Sequence, residues 1–421
     1  MDIDTRPMQP LSAAPVDLPS AYATEDRLAM RDAVRRFAME RVLPVANELD
    51  PVQGEIPDSL LQAMADMGLF GILVPTEYGG LGLGVFEYCM VAEELARAWM
   101  SVASVIARGN GLGRGFSPEQ RRELLPKVAR GEFLGAFALS EPEAGSDIAS
   151  IRTRAERDGD HYVLNGQKMW CTFADRADFL VVVARTTPYD PARRHSGIRN
   201  FYVPKQRGGF PPGISGTPIR KIGYHGWKTW ELSFQDFRVP AENLLGSRSA
   251  EGSDERSGFR DVSHGLAIAR LHTAARSIGL ARAGLEDAIA YAKTRVQFGR
   301  PIGDFQAIRF KIAEMAARIE ACRALMYQAA ADADAGRSVD HQAAMAKYLA
   351  SEMSEHVTSE ALQIHGGAGY TTDFAVERHW RDARLTKIFE GTSEIQLRIV
   401  SDRYLPRPPD HARPGLCDDT V

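Results

Sequence analysis

Residues 387–396, with the sequence KIFEGTSEIQ, place the carboxylate of Glu390 between aromatic Phe389 and flexible Gly391. Thr392 or Ser393 can cap a helix that begins directly afterwards, so Glu390 is predicted to lie on a turn. A carboxylate held against apolar surface is desolvated, which raises its pKa toward the range in which a general base works best. The alternative is a solvated loop glutamate, and the rest of the chain has to decide between the two.

The chain has 421 residues, 44% of them hydrophobic and 25% charged, which predicts a globular protein of two or three domains. A net charge of −4 without a basic cluster argues against a nucleic-acid or anionic-membrane surface. No cysteine pair has metal or redox spacing, so we expect no metal site, no disulfide framework and a cytoplasmic location; the cysteines are Cys89, Cys171, Cys322 and Cys417. Apolar runs stay short of the ~20 residues of a membrane span, and the N-terminus lacks a signal h-region.

Residues 1–20 are predicted to be a disordered arm and residues 21–133 an N-terminal helical domain. Its first helix should begin at Thr24 and stop near Pro44. Further helical patterns cover residues 60–69 and 85–106. The glycine-rich piece 79–84 lacks dinucleotide-binding spacing, so we favour a closely packed loop over a phosphate cradle.

Residues 134–250 are predicted to form a middle β domain. Asn165-Gly166, flanked by β-forming residues in 161–170, is a strong signal for a hairpin of two short strands. Further β-rich runs occupy 179–184, 200–203 and 230–234. The prediction is a compact antiparallel sheet or barrel.

Residues 251–404 return to helical periodicity and are predicted to form a C-terminal four-helix bundle, with a tail at 405–421. Apolar stripes step by three and four residues from Ile278, from Ile308 and from Ala346. The fold class is therefore multidomain α+β, with helical, β and helical parts in that order.

Three stretches, together with this order, resemble the acyl-CoA dehydrogenase family of flavoproteins over about residues 24–403. They are FALSEPEAGSD at 137–147, RVQFGRPI at 295–302, and QIHGGAGY at 363–370 followed by the Glu390 motif. The resemblance implies FAD, a homotetramer or dimer, and α,β-desaturation of an acyl-CoA thioester. It also implies that electrons pass to an electron-transferring flavoprotein.

The small residues of the loop 141–147 could let backbone N–H groups approach a pyrophosphate, or the loop could be a plain surface turn. Trp170, judged alone, is more typical of a core residue. The resemblance places both at the flavin, where it implies contacts from Phe137, Leu139, Ser140, Ser146, Trp170 and Thr172.

Arg295 is a planar, permanently charged group suited to phosphate, with a solvated charge at a helix end as the alternative. The resemblance favours phosphate and implies that the adenosine end of FAD is held across a subunit interface, by Arg295, Gln297, Phe298, Gln306, Gln363, Gly366 and Gly367. Thr392 and Glu394 fall at further flavin-contact positions. His365 is expected to be structural.

Desaturation requires a base for the α-proton and stabilisation of the enolate oxygen. By resemblance, Glu390 is the catalytic base, and its backbone N–H would bind the thioester carbonyl. Ser146, Arg270 and Gly391 are expected at the substrate.

Two departures from the family pattern concern the acyl carrier. Ala267 replaces an aspartate three residues before Arg270, and Asp402, followed by Arg403, replaces an arginine after the Glu390 motif. An acyl carrier protein could therefore replace CoA.

Arg108 follows mostly small or apolar residues at the end of the helix that the resemblance assigns to the far wall of the acyl cavity. If it points inward, it could pair with a second carboxylate on an acid-terminated acyl group. Outward exposure or a neighbouring acidic partner is the alternative, and Arg97 is a second candidate.

Two other functions compete with the dehydrogenase. A flavin oxidase or monooxygenase could use the same fold, and a non-catalytic helical scaffold could have kept it. An absorption spectrum would separate the scaffold from either enzyme.

Overall fold

The computed structural model of the protein describes residues 18–111, 113, 115–246 and 257–405. Nearly all of the predicted arm and tail, including Cys417, lies outside these residues. Within them, helices precede a sheet and further helices follow it, which confirms the predicted fold class. None of the helices in these ranges combines the length and hydropathy that crossing a membrane requires.

The first helical segment is longer than predicted. The Thr24 hydroxyl caps α1 (Glu25–Phe37) by accepting a first-turn N–H at 3.3 Å. A π-helical turn (Ala38–Val42) continues into α2 (Leu43–Leu49), so the predicted stop near Pro44 is wrong. Proline is tolerated there because it lies in the first turn of the new α-helix.

The described chain up to residue 129 contains five more helices: α3 (Asp58–Asp66), α4 (Val85–Ala98), α5 (Met100–Val105), α6 (Ala107–Asn110) and α7 (Pro118–Ala129). The first of these ends before the last residues of its predicted pattern. The predicted single helix over 85–106 is also wrong, because Trp99 has an extended backbone with φ −159° and ψ 115°. The Trp99 indole is 1% exposed and donates to Asp50 Oδ2 at 3.3 Å. Burying this ring with its N–H satisfied outweighs an uninterrupted helix.

The glycine-rich loop 79–84 is closely packed, as predicted. A side chain on Gly84 would overlap the Asp334 carboxylate. That carboxylate accepts the N–H groups of Val85 and Phe86 at 2.6 and 2.9 Å. The loop therefore allows an acidic side chain from the C-terminal helices to cap α4.

The middle of the described chain is one seven-stranded sheet, made of β1 (Gly135–Ala138), β2 (Arg154–Asp158), β3 (His161–Thr172), β4 (Phe179–Arg185), β5 (Ile198–Pro204), β6 (Ile214–Ile219) and β7 (Thr229–Pro240). The strand order is β1-β4-β2-β3-β7-β6, and β5 also pairs with β4. Most pairs are antiparallel, as predicted. The exceptions are β1, which runs parallel to β4, and one parallel residue pair between β2 and β4.

The predicted hairpin at Asn165-Gly166 is wrong, because both residues lie inside the continuous strand β3. Gly166 has φ 146°, and a Cβ there would meet the Thr153 Cα at 2.7 Å. The Asn165 side chain instead exchanges hydrogen bonds with Asp236 on β7, at 3.1 and 2.9 Å. This pair therefore forms a bulge with close backbone approach, rather than a turn.

The C-terminal part is a helical bundle of α8 (Ser257–Thr294), α9 (Gln306–Asp334), α10 (Asp340–His365), α11 (Val376–Thr386) and α12 (Ser393–Tyr404). Two short strands, β8 (Val296–Gln297) and β9 (Arg300–Pro301), join α8 to α9. Buried residues at the predicted stripes include Ile278, Met315 and Ala350.

A buried ion-pair network joins this bundle to α4. Arg282 on α8 contacts Glu93 at 3.0 Å and Glu94 at 2.5 Å, and Arg323 on α9 contacts Glu93 at 2.9 Å. The N-terminal helices and the bundle therefore share one interior.

Candidate active site

Glu390 lies on the turn between α11 and α12, as predicted, and Thr392 caps α12 by accepting the Ile395 N–H at 3.3 Å. Glu390 has φ 54° and Gly391 has φ 89°, so two successive residues adopt the left-handed conformation. Glutamate is strained there, and such strain is concentrated at functional sites.

Two buried side chains hold this turn through its carbonyl oxygens. Lys347 Nζ donates to the Gly391 carbonyl at 2.6 Å, and Gln396 Nε2 donates to the same oxygen at 2.9 Å. Burial lowers the pKa of Lys347 to about 8, although the charges of Glu390 and Glu352 oppose that shift. Lys347 therefore lies close enough to sense the Glu390 carboxylate.

The N–H side of the same turn is open. Within the described ranges, the backbone N–H groups of Glu390 and Gly391 donate to no other protein atom. Free backbone N–H groups beside a carboxylate could stabilise an oxygen on which negative charge develops.

Phe389 lies beside a cation and an aromatic ring. The Arg276 guanidinium carbon is 4.7 Å from the centre of the Phe389 ring, and the Tyr224 ring centre is 6.1 Å away. Glu390 itself is exposed, so the single chain does not give this carboxylate the apolar surroundings that the sequence analysis expects.

The residues expected around the flavin ring begin at β1, where Phe137 lies, and continue into Leu139 and Ser140. The Ser140 carbonyl accepts the Met169 N–H at 2.8 Å, which joins this segment to β3. Ser146 is exposed on the loop that follows.

A buried ion pair supports the same segment. Lys168 Nζ lies 2.7 Å from Glu141 and donates to the Leu139 carbonyl at 2.9 Å. Burial favours a higher pKa for Glu141, but the Lys168 charge and accepted hydrogen bonds hold it below its usual value. Because the Glu141 carboxylate takes the N–H groups of Arg152 and Thr153, an anion at this loop depends on the exposed small residues after it.

Trp170 and Thr172 lie near the end of β3. Trp170 has φ 62° and is 55% exposed, so the expectation of a core residue is not met. Thr172 shares a 3.1 Å hydroxyl contact with Thr229. A Cβ on Gly145 would meet no atom within 4 Å. An exposed indole beside hydroxyls, with open backbone nearby, fits a planar ring carrying a phosphate chain.

The residues expected at the adenosine end lie at the junctions of α8, α9 and α10, and all are exposed: Arg295, Gln297, Phe298, Gln306, Gln363, Gly366 and Gly367. The ring of His365 stacks on Tyr291 at 4.3 Å, which places the end of α10 beside the end of α8. The His365 ring is buried, in keeping with the expected structural role. Between this set and segment 137–146, the described residues form no hydrogen bond or ion pair.

Arg270 on α8 is 8% exposed, and Asp340 is 3.8 Å away. Burial lowers the pKa of Arg270, with Asp340 and Glu390 opposing the shift. Ala267 is buried, so no carboxylate occupies that place. Asp402 and Arg403 lie in α12, and Glu394 is exposed in its first turn.

The two arginines considered for an acidic acyl group differ in their surroundings. Arg97 is buried in ion pairs with Glu286 at 2.5 Å and Asp287 at 3.3 Å, so it is not available to a substrate. Arg108 on α6 is partly buried and has no hydrogen bond or ion pair to a described residue.

Four residues around this site were not predicted from the sequence: Lys168, Arg276, Lys347 and Gln396. Lys347 carried a usable signal, since it interrupts the apolar stripe that contains Ala346 and Ala350. The other three are ordinary polar residues in their local sequence, and only their long-range contacts make them part of the site.

Family models of three consecutive domains match the chain. The acyl-CoA dehydrogenase N-terminal domain matches residues 24–132, the middle domain 136–237 and the C-terminal domain 256–405. The chain belongs to the acyl-CoA dehydrogenase family. It is therefore an oxidoreductase of the acyl-CoA dehydrogenase type, and its cofactor is FAD.

Individual relatives cover nearly the whole chain. An acyl-CoA dehydrogenase of Bacillus subtilis (strain 168) is 40% identical over 91% of this chain and 99% of its own length. A (2S)-methylsuccinyl-CoA dehydrogenase of Cereibacter sphaeroides is 39% identical over 91% of this chain and 71% of its own. The butyryl-CoA dehydrogenase structure from Megasphaera elsdenii has TM-score 0.84 and 35% identity, with coverage of 91% and 98%.

Proposed function

We propose that this acyl-CoA dehydrogenase introduces a double bond between the α and β carbons of an acyl-CoA thioester, with Glu390 as the base that removes the α-proton. The observation that carries the proposal is the strained turn at Glu390 and Gly391, whose carbonyl is held by Lys347 and whose N–H groups are open. On one turn, the carboxylate can accept the α-proton of a thioester while the free N–H groups donate to its carbonyl oxygen.

The division of work follows from the chemistry of the α-proton. A thioester α-proton is only weakly acidic, so its removal requires stabilisation of the carbonyl oxygen as negative charge develops. The backbone N–H of Glu390 would donate to that oxygen while its carboxylate takes the proton. Gly391 has a positive φ and no Cβ, which lets the Gln396 amide reach the turn and hold it. When bound, FAD supplies the acceptor for the hydride that leaves the β carbon.

The test is anaerobic reduction of the flavin by a panel of acyl-CoA thioesters. Wild-type protein should lose its flavin absorbance with at least one of them. Glu390→Gln should keep flavin and fold but reduce the flavin several orders of magnitude more slowly, because the amide cannot accept a proton. Glu123→Gln, on an exposed carboxylate of α7, is the control for loss of one negative charge. Near-normal turnover in Glu390→Gln would remove Glu390 from the mechanism.

Reoxidation separates this proposal from an oxidase or monooxygenase of the same fold. A dehydrogenase reduced by its thioester should reoxidise slowly in air and rapidly with an electron-transferring flavoprotein, which we propose as the physiological acceptor. A non-catalytic scaffold would show no reduction by any thioester.

The carrier is proposed to be CoA, with Arg270 and Ser146 at its pantetheine arm. An acyl carrier protein is the alternative carrier, because the buried residue Ala267 provides no carboxylate at that position. Comparing one acyl group on CoA and on an acyl carrier protein would decide between the two carriers.

We further propose a homo-oligomer, tetramer or dimer, in the cytoplasm. The exposed set around Arg295, which has no bond to segment 137–146, supports a flavin site completed between subunits. Three buried cysteines without a disulfide, Cys89, Cys171 and Cys322, support a reducing compartment.

An acid-terminated acyl group is the substrate class that we propose. Arg108 supports it, because this partly buried arginine has no carboxylate partner in the described chain. A relative named for methylsuccinyl-CoA, itself an acid-terminated thioester, is compatible with this class.

A further inference from the structure

Arg276 on α8 is a buried cation whose hydrogen-bond partners are all neutral. Its side chain is 2% exposed. Nη1 donates to Ser104 Oγ at 3.1 Å, Nη2 to Thr273 Oγ1 at 2.8 Å, and Nε to the His272 carbonyl at 3.4 Å. No carboxylate of a described residue forms an ion pair with it.

The guanidinium retains unused hydrogen-bonding capacity. Arginine carries five N–H donors, and these three contacts leave one N–H on each terminal nitrogen. A buried guanidinium without a counter-charge is costly, because it loses its hydration. Two free donors on one planar fork match the geometry of a carboxylate.

Four other buried arginines among the described residues have stronger compensation, whereas Arg270 has only Asp340 at 3.8 Å. Arg282 and Arg323 lie in ion pairs with Glu93 and Glu94. Arg185 donates to several backbone carbonyl oxygens at 2.7 to 2.8 Å. Arg378 donates to an amide oxygen at 3.0 Å and lies in the field of three aspartates and a glutamate. Two hydroxyls and one long carbonyl contact are weak compensation by comparison.

The position of Arg276 connects it to the proposed reaction site. Its guanidinium lies over the ring of Phe389, the residue before Glu390, at 4.7 Å. Its partner Ser104 belongs to α5, within the helical segment that the family resemblance assigns to the acyl wall, and Ser104 also contacts the Tyr224 hydroxyl. The guanidinium therefore lies between the proposed base and the expected end of the acyl chain.

The groups packed around Arg276 are neutral or positive. The ring of Tyr88 stacks on His272 at 4.6 Å, and the Tyr88 hydroxyl has no hydrogen-bond partner in the described ranges. Burial, with the nearby charge of Arg276, keeps the pKa of His272 well below its usual value, so this ring is neutral. The positive charge of Arg108, on α6, acts on both the Tyr88 and the His272 side chain. The carboxylate that acts on Tyr88 is that of Glu390, the proposed base, and no carboxylate of a described residue forms an ion pair with Arg276.

We propose that Arg276 anchors a subsite for a carboxylate at the far end of the acyl chain, with the Tyr88 hydroxyl as a second donor. The inference rests on the proposed desaturation and names the residue that selects its substrate class. Arg108 is more exposed and lacks the fixed hydrogen bonds of Arg276, so its contribution is attraction of the charged chain rather than the bidentate contact.

The experiment compares matched thioesters in wild type, Arg276→Met, Arg276→Lys and Arg108→Met. Succinyl-, glutaryl- and adipyl-CoA are each paired with the butyryl, pentanoyl or hexanoyl thioester of the same carbon number. The readouts are kcat/KM for flavin reduction and, in a Glu390→Gln background, Kd by calorimetry. Arg122→Met, on an exposed ion pair of α7, is the control for a lost surface charge.

Wild type should prefer at least one acid-terminated thioester to its neutral match. Arg276→Met should lower the acid-to-neutral ratio about 10- to 100-fold, the size expected for one lost charged hydrogen-bond contact. Arg276→Lys should fall between, because it keeps the charge without the fork. It also replaces Arg276→Met should that variant fail to fold. Arg122→Met should leave the ratio unchanged.

Three results would overturn the subsite. Wild type could prefer every neutral thioester, Arg276→Met could weaken both classes equally by disturbing Phe389, or Arg108→Met alone could abolish the preference. If no thioester reduces the wild-type flavin, the proposed desaturation fails, and the Kd ratio still decides the role of Arg276.

Discussion

At the scale of single residues, backbone strain occurs at three positions that the family resemblance also names. Trp170, Phe298 and Glu390 all have positive φ, at 62°, 51° and 54°. Tyr224, beside Phe389 and Ser104, has φ 56°. Large side chains rarely adopt this conformation, so the surrounding packing must hold each of them in place. Backbone strain of this kind has no signature in a single sequence.

Replacing Lys347 tests whether its hydrogen bond to the Gly391 carbonyl holds the turn at Glu390 in position. Lys347→Met should remove the donor to the Gly391 carbonyl and lower kcat by about 5- to 30-fold, the equivalent of ~1–2 kcal/mol for one hydrogen bond. KM and flavin content should change little, because Gln396 still donates to the same oxygen. Lys347→Gln keeps a donor and should recover part of kcat. Unchanged kcat in Lys347→Met would show that the lysine is only structural.

Asp382 provides a test of pH dependence. Burial and the charge of Asp50 raise its pKa to about 7, and one of its oxygens has no partner among the described residues. Because the folded state binds the Asp382 proton more tightly than the unfolded state does, this proton stabilises the fold. The contribution is fully present below the unfolded pKa of about 4 and is lost as the pH rises through 7.

Asp382→Asn stays neutral at every pH and can still accept the Tyr224 N–H, which lies at 2.5 Å in the wild type. Its stability relative to wild type should therefore rise between pH 5 and 7, by at most about 1.4 kcal/mol per pH unit. Urea unfolding of both proteins at pH 5, 6, 7 and 8 measures the difference. Parallel pH curves would show that Asp382 does not titrate in this window.

Features of the site that depend on neighbouring residues could be predicted from the sequence, but contacts between distant residues could not. The turn at Glu390 and the Thr392 cap depend on neighbouring residues, so they could be predicted. Lys347 and Gly391 are 44 positions apart, and Arg276 and Ser104 are 172 positions apart. Such pairs are defined only by the packing of whole helices.

At the scale of elements, periodicity predicted the long helices well. It failed where tertiary packing overrides a local signal. Asn165-Gly166 usually makes a hairpin, but here the missing Cβ of Gly166 is used for close approach to Thr153. Helix propensity favours one helix over 85–106, but burial of the Trp99 ring divides it. In both places the deciding contact comes from another element.

The cap of α4 is a further contact between elements, and Asp334→Ala tests it. Loss of the carboxylate leaves the Val85 and Phe86 N–H groups without their acceptor, so stability should fall by about 1–2 kcal/mol. Turnover per bound flavin should stay near wild type, because α9 supplies this cap away from the turn at Glu390. Asp66→Ala, at the exposed end of α3, should change stability by less than about 0.5 kcal/mol. Equal unfolding midpoints for the two variants would contradict a capping role.

At the scale of the whole molecule, the exposed aromatic residues of the bundle support the proposed assembly. Phe298, Tyr370 and Phe310 are 94%, 83% and 63% exposed in the single chain. Phe298 and Tyr370 lie in or beside the two motifs that the resemblance assigns to the adenosine end of FAD. Large exposed aromatic residues next to a binding motif are typical of surfaces that become buried on association. The fold of one chain could be predicted from its sequence, whereas the proposed subunit arrangement would depend on surfaces that have no periodic pattern.

Arg295→Ala tests whether cofactor binding and assembly are linked. If Arg295 holds a phosphate of FAD across a subunit interface, its loss should remove a charge-assisted hydrogen bond of ~1.5–3 kcal/mol and weaken FAD binding about 10- to 100-fold. The oligomer should dissociate at higher protein concentration than wild type, and added FAD should restore it, because a ligand that bridges subunits favours the assembled state. The flavin-to-protein ratio and sedimentation velocity, each with and without added FAD, measure the two effects. Arg130→Ala, in an exposed pair with Glu132, should change neither quantity. If the Arg295→Ala variant formed a stable oligomer with full flavin content, Arg295 would be a solvated surface charge and not a ligand of the cofactor.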